Sequence, residues 1–249
     1  MRRALLLSLL LVGAISLMGV ASVSAQAEEP EFGQCVKAAK KSGEYSDKNC
    51  QSLSAGKAGK YNWQPINPID PIVFRDEDRG AVFVFFPFIV VCRKSESFTT
   101  YFGPRQMFTR IVYVECSFRR IIFCTSGGSP VGTIETTEMT GNLGYISREK
   151  HEVGVDFTGE GGVIASFQCG SEPPVTIRGS AIAKVTGDVN KMSSKNNLTF
   201  EEKEGVQVPS AFEGGIPDTP LAEIAGEEVP GTIAAVEKES GEQKIEIKA

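Results

Sequence analysis

Residues 151–169, HEVGVDFTGEGGVIASFQC, decide the fold class of this chain. Their first part, HEVGVDF (151–157), alternates apolar and polar residues, and GVIASFQC (162–169) is a second apolar stretch of strand length. Alternation with a period of two is typical of a half-buried β-strand. The glycine-rich TGEGG between the two stretches is a turn signal. We therefore predict two strands joined by a turn.

Short β-rich segments separated by glycine and proline recur through most of the chain. The clearest are PIVF (71–74), AVFVFF (81–86), RIVYVEC (110–116), IIFC (121–124), VGTIETTEM (131–139), VTIRGSAIAKV (175–185), NLTFEE (197–202), GTIAAVE (231–237) and QKIEIK (243–248). Many short strands with glycine-rich turns predict a mainly β protein, an antiparallel β-sandwich or barrel. One short helical turn is expected over Cys35–Lys41.

The run AVFVFFPFIVVC (81–92) is the most apolar stretch after the N-terminal leader. It is too short to span a bilayer. We interpret it as a strand buried on both faces, with Pro87 marking a bulge or a sheet edge. The alternative is an exposed apolar patch. A flat apolar strip near Phe83, Phe85 and Phe88 would favour a binding function.

The N-terminus has the features of a secretory signal peptide over residues 1–27. Arg2 and Arg3 precede an uncharged run that ends in two small-residue cleavage sites, after Ala25 and after Ala27. An uncleaved membrane anchor is the alternative, because the run is long enough to span. No later stretch is long enough to do so. The protein is therefore expected to be secreted or associated with the cell envelope.

Charge is distributed unevenly along the chain. Without residues 1–27, 24 basic residues face 31 acidic ones, a formal charge of −7, and residues 201–249 hold twelve of the acids and four lysines. This acidity argues against nucleic acid as a partner. We divide the chain into a signal peptide (1–27), an N-terminal segment (28–60) and a β-rich domain (61–249), with the acidic residues 201–249 as a candidate subdomain.

Six cysteines and one histidine set the chemistry of the chain. No Cys-x-x-Cys pair is present, so neither a zinc site nor a thioredoxin-like redox pair is expected. An even number of cysteines in an exported protein indicates disulfides, and six allow 15 connectivities. Proximity favours Cys35–Cys50, which would clip the segment 28–60, and Cys116–Cys124. Elimination then leaves Cys92–Cys169.

No constellation of catalytic residues stands out. His151 is the single candidate for a Ser-His-Asp triad, and no nucleophile elbow is present. Glu135 and Glu138 resemble a glycosidase pair, but residues three apart on a strand point to opposite faces. The acids of RDEDRG (75–80) lack the spacing of a calcium loop, so a solvated hairpin turn is expected there. We predict no catalytic residues, metal ligands or cofactor.

Four arginines in the middle of the chain are a candidate basic patch. Arg105, Arg110, Arg119 and Arg120 lie close together in sequence, and the last two fall within the Cys116–Cys124 loop. Scattered, solvated arginines are the alternative interpretation. A glycosylation acceptor at Asn197, in NLT, is a weak signal.

The chain resembles a family of secreted proteins from soil actinobacteria that has no assigned activity. The resemblance rests on PEFGQCVK, the GEYSD before Cys50, YNWQP, YFGPR, CTS, GNLGYIS, VGVDF, FQCG, RGSAIA, NKMS and FEGG, in this order. It implies a signal peptide, two N-terminal cysteines and a β-rich body, and it supplies no site residues. The apolar 81–91 and the SFRRIIF between Cys116 and Cys124 depart from the family pattern.

These observations predict a non-catalytic extracellular or cell-envelope protein with a binding or structural role. Its expected partners are a cell-envelope polymer or another extracellular protein. The alternatives are a secreted hydrolase that uses acidic residues and a secreted inhibitor or effector.

Overall fold

The protein is mainly β, as predicted. The computed structural model describes residues 29–40, 42–78 and 80–249, so the predicted signal peptide and its cleavage sites lie outside the described residues. The strands are β1 (Glu31–Lys37), β2 (Tyr61–Pro65), β3 (Ile72–Asp78), β4 (Ala81–Phe85), β5 (Phe88–Val91), β6 (Lys94–Tyr101), β7 (Gln106–Val114), β8 (Ser117–Phe118), β9 (Ile122–Thr125), β10 (Ile134–Glu135), β11 (Met139–Ser147), β12 (Glu152–Cys169), β13 (Val175–Val185), β14 (Ser193–Lys203), β15 (Val206–Val208), β16 (Leu221–Ile224), β17 (Glu227–Pro230) and β18 (Thr232–Lys248).

Helix is confined, in the described part of the chain, to one 3₁₀ turn at Ala55–Lys57. None of the helical structure within these ranges is long and apolar enough to cross a membrane.

Eight strands close an antiparallel barrel. In spatial order they are β3, β6, β7, β11, β12, β13, β14 and β18, which is also their order along the chain, and β18 then pairs with β3. This is an up-and-down barrel, in which closure removes the exposed edges that an open sheet would have. The seam between β18 and β3 is the thinnest point, with one ladder pair, Ser240 opposite Arg75.

A second group of strands extends the barrel at one end. The first residues of β18 pair with β4, and the sheet continues through β5, β8 and β9 to the last residues of β12. We call β4, β5, β8 and β9 the hairpin wall, since they form two hairpins side by side. The long strands β12 and β18 therefore belong to both the barrel and the wall.

Inward-facing side chains fill the barrel. Along β7, Met107, Thr109, Ile111 and Tyr113 are buried, whereas the residues that alternate with them are more exposed. The void that Tyr113 lines together with other side chains from the barrel and β4 measures about 10 Å³. That is the size of a single water molecule, so this void is too small for an organic ligand.

The N-terminal segment joins the barrel through β1. Glu31–Gly33 pair with the end of β18, and Phe32 is fully buried with its ring edge-on to Tyr101 at 4.8 Å. The helical turn predicted over Cys35–Lys41 was wrong, since β1 continues to Lys37. Pairing with β2 and β18 satisfies the backbone here, whereas a one-turn helix would carry the cost of nucleation alone.

The stretch 151–169 is one strand, not the two that the sequence predicted. β12 runs from Glu152 to Cys169, and its register against β13 shifts between Thr158 and Ala165. The glycines form a bulge: a Cβ on Gly159 would lie 1.8 Å from the Val163 carbonyl oxygen. A bulge bends a strand without ending it, which lets β12 pass from the barrel into the wall.

The disulfides are Cys35–Cys50, Cys92–Cys116 and Cys124–Cys169. Cys35–Cys50 is the pair expected from proximity; the predicted Cys92–Cys169 and Cys116–Cys124 are wrong. The four remaining cysteines lie in one row across neighbouring strands: Cys92 directly follows β5, Cys116 directly precedes β8, and Cys124 and Cys169 lie in β9 and β12. If the central two were bonded, the outer two would be three strand spacings apart, roughly 14 Å, beyond the reach of a disulfide.

Candidate binding surface

The outer face of the hairpin wall carries an apolar strip. Across the strands, Val82 is opposite Val91, Val84 is opposite Ile89, and Val91 continues through Ser117 to Phe123. The exposed turns at one end add Phe86 and Ile121. We define the apolar strip as Val82, Val84, Phe86, Ile89, Val91, Ile121 and Phe123.

The strip results from alternation within the apolar run 81–91. Phe83, Phe85 and Phe88 are buried, so the aromatic residues proposed from the sequence as a binding strip belong to the core. The prediction of a single strand buried on both faces was also wrong. Phe86 and Pro87 form the turn of a hairpin, and the residues between the buried phenylalanines face outward.

The inner side of the wall is closely supported. Phe88 packs against Phe118 at 4.8 Å between ring centroids and against Phe85 at 5.9 Å. The two disulfides of the cysteine row link β5 to β8 and β9 to β12. These contacts hold the strip on a pre-organised surface.

The turn between β8 and β9 places two arginines at the end of the strip. Arg119 and Arg120 both have positive φ, 51° and 65°, and the Ile121 N–H donates to the Phe118 carbonyl at 3.3 Å. Glycine and asparagine are the usual residues in such a turn. Glycine has no Cβ and the short asparagine side chain can hydrogen-bond locally, whereas other side chains are disfavoured in the left-handed region. Within the described ranges neither arginine forms an ion pair, and both are exposed.

The Arg119 guanidinium lies 4.8 Å from the centroid of the Phe118 ring. The two turns are neighbours because β5 pairs with β8. Phe86 is 85% exposed and Ile121 is 79% exposed. This end of the protein therefore presents bulky apolar side chains beside two cations.

The predicted basic patch is divided by the fold. Arg105 lies in the β6–β7 turn, at the opposite end of the barrel from the wall, and contacts Glu29. Arg110 forms an ion pair with Glu135 on the barrel surface. Arg119 and Arg120 alone reach the apolar strip.

Two buried carboxylates inside the barrel were missed by the sequence analysis. Glu237 and Glu239 are two residues apart on β18, point inward and are each 2% exposed. Glu239 accepts hydrogen bonds from Thr99, at 2.6 Å, and from Tyr101. Alternation in β18 places both acids on one face, but nothing in the sequence indicated that this face is the inner one.

Glu237 has a similar environment. Ser95 donates to it at 3.1 Å and Tyr113 at 3.4 Å. Burial, and then the neighbouring carboxylate, raises the pKa of Tyr101 and Tyr113 well above the usual tyrosine value. Both tyrosines therefore stay protonated and serve as donors.

An open groove of about 630 Å³ lies over the barrel seam. Arg75, Lys195 and Lys238 line it, together with Ser97 and Glu239. The Ser97 hydroxyl is buried without a hydrogen-bond partner in the described structure. The groove contains both basic and acidic side chains. Its Glu239 carboxylate already accepts hydrogen bonds from the hydroxyl groups of Thr99 and Tyr101.

The residues considered for catalysis are not brought together. His151 is exposed in the turn between β11 and β12, and its imidazole forms no hydrogen bond to a carboxylate within the described ranges. Glu135 is bound by Arg110 and by Ser129, at 2.6 Å. The Ser129 hydrogen bond and then Arg110 lower the pKa of Glu135. Glu138 is exposed outside the barrel.

The acidic cluster RDEDRG is not a hairpin turn. Its first four residues, 75–78, belong to β3 and pair with β6, which corrects the prediction. In residues 29–40, 42–78 and 80–249, no group of three or more His, Cys, Asp or Glu residues is arranged to hold a metal ion.

The resemblance to the actinobacterial family is not tested by comparison with known proteins and stays a prediction. No protein-family model, no curated protein and no solved structure matches this chain.

Proposed function

We propose that this protein is a non-catalytic extracellular module that binds the anionic lipid surface of a cell envelope through the end of its hairpin wall. The observation that carries the proposal is the exposure of Phe86 and Ile121 directly beside Arg119 and Arg120. Exposed apolar side chains enter the boundary between headgroups and acyl chains, and neighbouring cations contact lipid phosphates.

The charge at the tip of the wall favours an anionic lipid surface over an uncharged apolar partner. The chain as a whole carries a formal charge of −5, yet the tip of the wall carries two arginines without an acidic partner among the described residues. An acidic protein would approach an anionic surface only through such a local cation pair. The three disulfides are consistent with an extracellular location.

The other functions inferred from the sequence have less support. For a hydrolase, the candidate carboxylates are Glu237 and Glu239, which serine, threonine and tyrosine hydroxyls bind inside the barrel. No described feature favours an inhibitor in particular. Both alternatives stay predictions.

Vesicle co-sedimentation tests the proposal. The disulfide-bonded protein is expected to bind vesicles that contain phosphatidylglycerol and to bind phosphatidylcholine vesicles much more weakly. A basic residue near an anionic membrane contributes about 1 kcal/mol, so the double variant Arg119→Gln/Arg120→Gln should bind roughly 30-fold more weakly. The double variant Lys37→Gln/Lys40→Gln removes the same charge elsewhere and should bind like the original protein.

The apolar part of the proposal has its own matched pair. Phe86→Asp is expected to abolish vesicle binding, whereas Ile216→Asp, at a residue that is 89% exposed elsewhere, should retain it. Equal binding to both vesicle types, or binding that survives Phe86→Asp, would exclude this surface as the lipid site. Failure to bind vesicles combined with a concentration-dependent dimer would instead identify the strip as a contact between two copies.

A further inference from the structure

A cleft of about 540 Å³ lies at the end of the barrel opposite the hairpin wall. Its walls are the β6–β7 turn with Arg105, the end of β11 with Tyr145, and the loop that carries Phe212. We call it the arginine cleft. None of the residues that line it belongs to the apolar strip.

Backbone contacts build the cleft. The ring of Phe212 lies against Gly144, where a Cβ would come within 2.8 Å of two ring carbons. The backbone N–H of Glu213 donates to the Tyr145 carbonyl at 2.8 Å. The carboxylate of Glu213 in turn accepts a hydrogen bond from the backbone N–H of Arg148 at 2.5 Å. The loop is therefore fixed on β11, and the cleft is a formed feature of the fold.

Two guanidinium groups converge in the cleft on one carboxylate. Arg148 Nη2 lies 2.5 Å from Glu29 Oε1, and Arg105 Nη1 lies 3.7 Å from Glu29 Oε2. The Arg148 guanidinium is also held 4.5 Å from the centroid of the Tyr145 ring. A guanidinium that is fixed by an aromatic face is pre-organised to bind a carboxylate.

Glu29 does not use the whole donor set. Arg148 Nη1 is buried and has no hydrogen-bond partner in the described structure. A guanidinium has five N–H donors, and leaving a buried one unsatisfied is unfavourable. Arg148 Nη1 can therefore donate a hydrogen bond to one more acceptor oxygen, in addition to the Glu29 carboxylate that the cleft already holds.

We propose that the arginine cleft binds a small organic acid that carries a carboxylate and a second acceptor oxygen, and that Glu29 occupies the carboxylate position in its absence. The ligand carboxylate takes the place of the Glu29 carboxylate between Arg105 and Arg148. Its second oxygen accepts from Arg148 Nη1. The phenylalanine ring of Phe212 lies on the floor beside the carbon chain.

Glu29 is suited to be displaced. Its side chain and that of Arg105 are about half exposed, and exposed ion pairs are weak and screened by salt. A tethered carboxylate nevertheless competes with the ligand, because the cleft can bind an external acid only in the fraction of molecules in which Glu29 has left. Removing the Glu29 charge should therefore strengthen binding.

Calorimetric titration with malate tests this inference on the intact, disulfide-bonded protein. Glu29→Gln is expected to bind malate about tenfold more tightly than the original chain, if Glu29 occupies the cleft in about nine molecules out of ten. In the Glu29→Gln background, Arg148→Lys should lose most of this affinity. Arg178→Lys changes an Arg–Glu pair of similar exposure elsewhere and serves as the matched control.

Three results would overturn the inference. They are malate binding that Glu29→Gln leaves unchanged, malate binding that Arg148→Lys leaves unchanged, and equal affinity for sulfate, which would indicate a general anion patch. Acetate, which lacks the second acceptor, should bind more weakly than malate. If Arg148→Lys does not fold, Arg105→Lys, on a more exposed partner of Glu29, replaces it in the same comparison.

Discussion

The backbone carbonyl of Cys116 accepts a hydrogen bond from the N–H of Cys124 at 3.0 Å, yet the sulfur of Cys116 is bonded to Cys92. Cys116 thus has a cysteine on the neighbouring strand on each side. Only the bonding of outer to inner cysteines uses all four members of the row. The result is two parallel cross-links that connect β5 to β8 and β9 to β12.

Peptide mapping distinguishes the observed pairing from the one predicted from proximity. Trypsin cleaves after arginines that separate all four cysteines of the row. Without reduction, we expect the Cys92 peptide 80–93 to be linked to the Cys116 peptide 111–119. The Cys124 peptide 121–148 should be linked to the Cys169 peptide 151–178. A peptide species that links 111–119 to 121–148 would contradict the cysteine row.

Removing one of the two cross-links, with Cys92→Ser/Cys116→Ser, should lower the free energy of unfolding by about 3 kcal/mol.

Adjacent phenylalanines in the apolar run should respond oppositely to truncation. Phe85 is 1% exposed within the aromatic core, so Phe85→Ala is expected to cost about 3–5 kcal/mol of folding stability. Phe86→Ala should change stability by no more than about 0.5 kcal/mol, because the side chain projects into solvent. Urea unfolding of the two variants provides the measurement. Similar losses would mean that the hairpin alternation is wrong.

The hydroxyl of Tyr101 is expected to be important for stability. It donates to Glu239 and accepts from Asn196 Nδ2 at 3.2 Å, so Tyr101→Phe removes one hydrogen-bond partner from each of these buried side chains. We expect a loss of about 1–3 kcal/mol in the free energy of unfolding. Tyr61→Phe, in β2 beside β1, is the control and should be nearly neutral. A neutral Tyr101→Phe would show that solvent reaches the barrel interior.

Asp156 predicts a pH dependence of opposite sign to that of a salt-bridged acid. Burial, with repulsion from Asp218, raises the pKa of Asp156 above its usual value. The folded protein then holds a proton that the unfolded chain has lost, so this residue makes folding less favourable as the pH rises through the interval between the two pKa values. Asp156→Asn should therefore stabilise the protein at neutral pH. At about pH 3, where Asp156 is protonated in both states, the advantage should vanish.

Thermal unfolding at several pH values checks this prediction. Glu152 is a suitable contrast, because its hydrogen bond to Lys184 lowers its pKa. Glu152→Gln should not stabilise the protein at neutral pH. A constant gain for Asp156→Asn at every pH would indicate better packing of the amide and would refute the electrostatic explanation.

Local patterns predicted the class of fold but not the pairing of distant strands. Alternation in HEVGVDF correctly indicated a strand, because one face of β12 lies in the core. The same rule cannot show that TGEGG is a bulge, since that depends on β13 continuing across it. Likewise, the pairing of Cys92 depends on β5 meeting β8, which no sequence spacing encodes.

The candidate sites depend on contacts that are still longer in range. The outward residues of the strip lie between those that the sequence marked as a possible binding surface, because periodicity defines two faces without saying which one is buried. The arginine cleft joins Glu29 to Arg148, 119 residues apart. Charged residues at such separation carry no local signal of their contact.

The length and position of β18 have a consequence for biosynthesis. This strand follows every other strand that the structure describes, yet it closes the barrel against β3 and β14, joins the wall through β4 and pairs with β1. A nascent chain that has emerged only as far as β17 is therefore an open sheet, with long-range contacts that cannot form until β18 is made. The order of the strands therefore delays closure of the barrel until β18 has been synthesised.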